Sequence, residues 1–103
     1  QILAKQINNG LKSIKNKSDI ILAYEPVWSI GTGLIPKSND LLKSVSFIKN
    51  RFGKKPPKIL YGGSVNSNNI AQLKDIDIID GFLIGGASQS SKKFIDIIKK
   101  TFN

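Results

Sequence analysis

The chain has 103 residues, 40% of them hydrophobic, enough for one ordinary globular domain. No apolar run approaches the roughly 18 residues a membrane helix needs, and the start, Gln1-Ile2-Leu3-Ala4-Lys5, has neither a signal-peptide pattern nor an initiator Met, so a cytoplasmic chain beginning mid-protein is the expectation. Cysteine and histidine are both absent, which removes disulfides, thiolate metal sites and the commonest general acid-base. The formal charge of +9 raises the alternative of a basic remnant that binds nucleic acid or an acidic partner. Against it, the lysines are scattered in runs no longer than two and Arg51 is the lone guanidinium, so solvated helix faces explain the charge better.

Leu3, Ile7, Leu11 and Ile14 recur at helical spacing, predicting a core-facing helix over 2–14, broken or strained at Asn8-Asn9-Gly10. Ile20 to Tyr24 reads as a strand buried on both faces. It delivers Glu25 at its end, held out of the α region by Pro26 and followed by a loop with Gly31 and Gly33.

A second helix follows, with Ser38 or Asn39 as N-cap and Leu41, Val45, Ile48 and Phe52 as its apolar stripe, closed by Gly53 and Pro56-Pro57. The next strand, Lys58 to Tyr61, ends in Gly62-Gly63-Ser64, after which Asn66 to Asn69 offers cap chemistry for a short helix over 70–74. A third strand over 78–84 stops at Gly85-Gly86, and a last helix over 91–102 shows Ile95, Ile98 and Phe102 on one face, expected to meet the core. One helix and then three strand-loop-helix units predict an α/β fold with a parallel sheet.

In such folds ligands sit beyond the C-terminal strand ends. That edge collects Glu25, Ser64 and two glycine pairs whose exposed N–H groups suit an anion. The pattern points to a small phosphate-bearing substrate, with Glu25 as candidate general base.

The segments Ala23-Tyr24-Glu25-Pro26-Val27-Trp28-Ser29-Ile30-Gly31-Thr32-Gly33, Tyr61-Gly62-Gly63-Ser64-Val65 and Asp80-Gly81-Phe82-Leu83-Ile84-Gly85-Gly86-Ala87-Ser88 closely resemble the signature segments of the triosephosphate isomerase family, in the family's order and near its spacing. Ser29 stands where the family has Ala. A different phosphosugar barrel sharing the Gly-Gly cradle is the lesser alternative.

The resemblance implies a partial (β/α)8 TIM barrel: residues 1–103 would be the C-terminal fragment of a single barrel domain, carrying strands six to eight. It implies aldose-ketose isomerisation of dihydroxyacetone phosphate to glyceraldehyde 3-phosphate by Glu25, with no cofactor or metal. The amides of Gly31, Ser64, Gly85 and Gly86 would hold the phosphate. Pro26, Val27, Trp28, Ser29, Ile30, Thr32 and Gly33 would form the lid, hinged at Pro26-Val27-Trp28 and Leu34-Ile35-Pro36, with Tyr61 and Ser64 as its latch.

The same resemblance implies a homodimer for the complete protein, without nucleic-acid or membrane partners. It also places an arginine-aspartate pair near Lys49 or Arg51 and Asp77 or Asp80. The family's catalytic Asn, Lys and neutral His belong to segments this chain lacks, so the isolated chain is expected to be inactive and poorly folded.

Overall fold

The computed structural model describes residues 2–15, 19–26, 32 and 34–102. In chain order these form α1 (Ile2–Leu11), β1 (Ile21–Tyr24), α2 (Ser38–Asn50), β2 (Lys58–Tyr61), α3 (Ile70–Leu73), β3 (Gly81–Phe82), a 3-10 turn (Gly86–Gln89) and α4 (Ser91–Thr101). The sheet has the order β1-β2-β3 with both pairs parallel, so each strand is followed by a helix before the next lies beside it. This is the expected α/β arrangement.

Alternation along the strands sorts the sheet into two faces. Leu22, Tyr24, Ile59, Tyr61 and Phe82 fall on the helix-covered side, where Ile59 and Tyr61 are fully buried alongside Leu41, Val45, Ile48, Ile70, Leu73 and Ile97. Ile21 and Ala23 pair in register with Lys58 and Leu60 on the opposite face, and Ile21 is 64% exposed. The expectation that the first strand is buried on both faces is therefore corrected: helices cover one side of this sheet only.

Four local expectations also change. α1 runs through Asn8, Asn9 and Gly10 unbroken to Leu11, because packing of Leu3 and Ile7 on the core outweighs the roughly 1 kcal/mol cost of a helical glycine. Neither Ser38 nor Asn39 caps α2; the N-cap is Lys37, extended and without a side-chain cap bond. The third strand shrinks to Gly81–Phe82, since Ile79 closes a turn by donating to the Ile76 carbonyl at 3.1 Å before the chain reaches β2.

On α4 the face is different: Ile97 is buried, whereas Ile95, Ile98 and Phe102 are 50%, 41% and 84% exposed. This helix is apolar on two sides; it packs against α3 and the 86–89 turn, and Ile97 is the residue it contributes to the core. α2 follows its predicted stripe, with Leu41, Val45 and Ile48 buried and Phe52 packed against them; Gly53 supplies the positive φ of 72° that turns the chain away.

The strand starts are fastened by one carboxylate. Asp80 Oδ2 accepts from the Ile59 N–H at 2.8 Å and lies 3.2 Å from Lys49 Nζ, joining the loop before β3, β2 and the end of α2. Of the four residues the sequence offers for this pair, Lys49 and Asp80 make it. Burial raises the Asp80 pKa, but the Ile59 bond, the Lys49 contact and the field of Lys58 together hold it below the ordinary 3.8. Arg51 serves elsewhere: its Nη2 donates to Asn8 Oδ1 at 2.9 Å and its guanidinium lies 6.0 Å from the Phe47 ring centre, tying α1 to α2.

Candidate active site

At the opposite ends of the strands, an open cavity of about 600 Å³ is lined by Glu25 from the end of β1, by Gly62, Gly63 and Ser64 after β2, and by Leu83, Gly85 and Gly86 after β3. Its size suits a small-molecule site. Four residues singled out from sequence thus meet in one space: Glu25, Ser64, Gly85 and Gly86.

Glu25 follows the last ladder residue of β1. The Gly62 N–H donates to the Tyr24 carbonyl at 2.9 Å, carrying the β1–β2 pairing one step beyond the strands. The Glu25 side chain then lies on the Gly62 backbone: a Cβ added at Gly62 would stand 2.7 Å from Glu25 Cγ and 3.0 Å from Oε1. Glycine is needed there for close approach, not for an unusual φ. Pro26 is buried, so the chain leaves Glu25 from a fixed point, and the carboxylate itself stays accessible to the cavity.

Gly62 and Gly63 are buried, and Ser64 is half-buried at the cavity wall. The loop after Ser64 is braced by asparagines. Asn69 Nδ2 donates to the Ser64 carbonyl, Asn69 Oδ1 accepts from Asn66 N, and Asn66 Oδ1 accepts from Asn68 N and Asn69 N. The sequence suggests these residues as caps for α3; they hold the loop instead, and Asn69, the N-cap, makes no side-chain cap bond.

Gly85 and Gly86 are exposed, with open space where a Cβ would be. Ser88 shapes this stretch by donating from Oγ to the Gly85 carbonyl at 2.6 Å. Tyr61, one residue before Gly62, is fully buried in the core. Thr32 is exposed, and its Oγ1 accepts from Leu34 N at 3.2 Å. Val27, Trp28, Ser29, Ile30, Gly31 and Gly33 lie outside the described residues, and with them most of the expected lid and one phosphate contact.

The cavity also takes in Asn66, Ser67, Asn68, Leu83 and Lys93, which sequence reasoning passes over. The asparagines read as caps, and Lys93 is one lysine among fifteen. Among the described residues no cluster of three or more metal-ligating side chains occurs, and no helix is long and apolar enough to cross a membrane.

Comparison with known proteins shows the family. The sequence model of triosephosphate isomerase matches residues 1–101. The chain belongs to the triosephosphate isomerase family. Similar members include the triosephosphate isomerases of Thermodesulfovibrio yellowstonii, 42% identical over 105 residues, covering 96% of this chain and 43% of the relative; and of Lawsonia intracellularis, 37% identical over 110 residues, covering 99% and 44%. The triosephosphate isomerase of Saccharomyces cerevisiae is 40% identical over 104 residues, covering 94% of this chain and 42% of the relative. The chain thus spans less than half the length of these triosephosphate isomerases, and its three-stranded parallel sheet is part of a barrel.

Proposed function

We propose that this chain supplies the base and the phosphate site of a triosephosphate isomerase that interconverts dihydroxyacetone phosphate and glyceraldehyde 3-phosphate. The observation that carries the proposal is the seating of Glu25 on Gly62 at the rim of a cavity it shares with Ser64, Gly85 and Gly86.

In this reading the Glu25 carboxylate takes a proton from the carbon next to the substrate carbonyl. The electrons move into an enediolate, and the proton returns to the neighbouring carbon, leaving the carbonyl one position along. The amides of Gly31, Ser64, Gly85 and Gly86 bind the phosphate, at the end of the cavity away from Glu25, and so fix which carbon faces the base.

Residues 26–36 close over the substrate, with Tyr61 and Ser64 latching them; closure keeps water from an intermediate that would otherwise lose phosphate. Polarising the carbonyl requires a donor, and the reading assigns it to family segments outside this chain. By this reading residues 1–103 form part of a single barrel domain and by themselves do not turn over; the complete protein is a cytoplasmic homodimer.

The test is proton exchange at the substrate carbon in deuterated water, followed by NMR with a complete protein carrying this segment. Glu25→Gln is expected to slow exchange by about 10²–10⁴-fold, the usual contribution of a positioned base. Exchange surviving within about tenfold would remove Glu25 from the role.

A further inference from the structure

We propose that Lys93 is a substrate-affinity residue, placing an ammonium on the phosphate bound at Gly85–Gly86. Three observations converge on it. Lys93 is the single cationic side chain among the described residues lining the cavity, which Glu25 enters as the single carboxylate. A substrate neutral at one end and dianionic at the other matches that polarity.

The backbone of Lys93 is also held, and the residue is exposed where it lines the cavity. Ser90 caps α4 by accepting from the Lys93 N–H at 3.3 Å, so Lys93 sits in the first helical turn directly behind the 86–89 turn. That position is electrostatically unfavourable: the start of a helix prefers acidic side chains, yet this first turn holds Lys92 and Lys93 and no acid. Finally, the ion pairs among the described residues are Lys49–Asp80 and Lys100–Asp96, and neither engages Lys93. An anion in the cavity supplies the missing counter-charge for the side chain and the helix end together.

The inference rests on the proposed phosphate site, and it carries a signature that a structural role does not. Removing the charge at position 93 relieves the helix and so leaves stability equal or higher, while affinity falls. The experiment is an NMR titration of a complete protein carrying this segment with glycerol 3-phosphate, an unreactive three-carbon phosphate, following the amides of Ser64, Gly85 and Gly86, with glycerol as control.

Expected are saturable shifts with the phosphate and none with glycerol. Lys93→Gln weakens binding about tenfold, the scale of one hydrogen bond to a charged group, and Lys93→Arg stays within about threefold. Lys92→Gln, an equal charge loss one residue away at a position outside this cavity, stays within about twofold. Lys93→Glu unfolds at the same or higher urea concentration while binding least.

Wild-type affinity in Lys93→Gln, or equal losses in the position 92 and 93 variants, overturns the role of Lys93 and leaves the phosphate site standing. Absence of saturable shifts in the complete wild-type protein overturns the phosphate site and Lys93 with it.

Discussion

Replacing Asp80 by Ala tests how the strand starts are held together. The substitution removes an acceptor 2.8 Å from the Ile59 N–H and a charge 3.2 Å from Lys49 Nζ. Ile59 is fully buried, so water does not readily replace the lost acceptor, and an orphaned buried donor costs about 1–3 kcal/mol. The ion pair adds less: both side chains are 24% exposed, and pairs of this kind contribute about 0.2–1 kcal/mol. Asp80→Ala should therefore cost about 1–4 kcal/mol.

Asp80→Asn keeps an acceptor for Ile59 and Lys49→Ala keeps the carboxylate, so each should cost no more than about 1 kcal/mol. Urea denaturation of a complete protein carrying this segment reads the loss of global stability. Hydrogen exchange of the Ile59 amide reads the local opening, accelerated about 10- to 100-fold in Asp80→Ala. Acid separates charge from acceptor. The Asp80 pKa is lower in the folded chain than the ordinary 3.8, so its charged form stabilises the fold above that value and the benefit is lost as pH falls through the folded pKa. Below about pH 4 the wild-type advantage over Asp80→Asn should shrink toward zero. Equal losses in Asp80→Asn and Asp80→Ala would refute the reasoning, because the charge on Asp80, and not the acceptor it offers Ile59, would then account for most of the loss.

Two further predictions address the site and the core. Gly62→Ala puts a methyl 2.7 Å from Glu25 Cγ; the accessible carboxylate swings aside, so stability should change by less than about 1 kcal/mol while proton exchange in a complete protein falls about 100-fold, and unchanged exchange would show that Gly62 does not set the Glu25 position. Ile97→Ala should cost about 2–4 kcal/mol in urea denaturation, whereas Phe102→Ala, at a residue 84% exposed, should stay within about 0.5 kcal/mol, and the reverse order would mean α4 is docked by its other face.

The sequence is most readable where one periodicity has one interpretation. The Leu41-Val45-Ile48 stripe of α2 and the strands leading to Glu25 and Gly62 emerge where the pattern puts them, because a single apolar face can only turn inward. It is ambiguous where a helix is apolar twice over. On α4 the set Phe94, Ile97, Thr101 and the set Ile95, Ile98, Phe102 share the same spacing, and only the tertiary packing, which buries Ile97, selects between them.

Strand burial is misread for a related reason: Ile21 and Ala23 are as apolar as a two-sided strand requires, but composition does not say which neighbours are present. At the site, the chemistry-bearing Glu25 and the glycine pairs stand out by their placement after strands. Lys93 does not, since its cavity position depends on the 86–89 turn and on Ser90 starting the helix one turn later.

The fastening at Asp80 and the cavity at Glu25 lie at opposite ends of the same strands. Tolerance to change should therefore be directional along the sheet. A library varied at Lys49, Lys58 and Asp80 would sample melting behaviour with little effect on proton transfer, and one varied at the exposed Gly85 and Gly86 would sample chemistry with little effect on melting. Selection on one end leaves the other free to drift, so a lineage can adjust to temperature without renegotiating its active site.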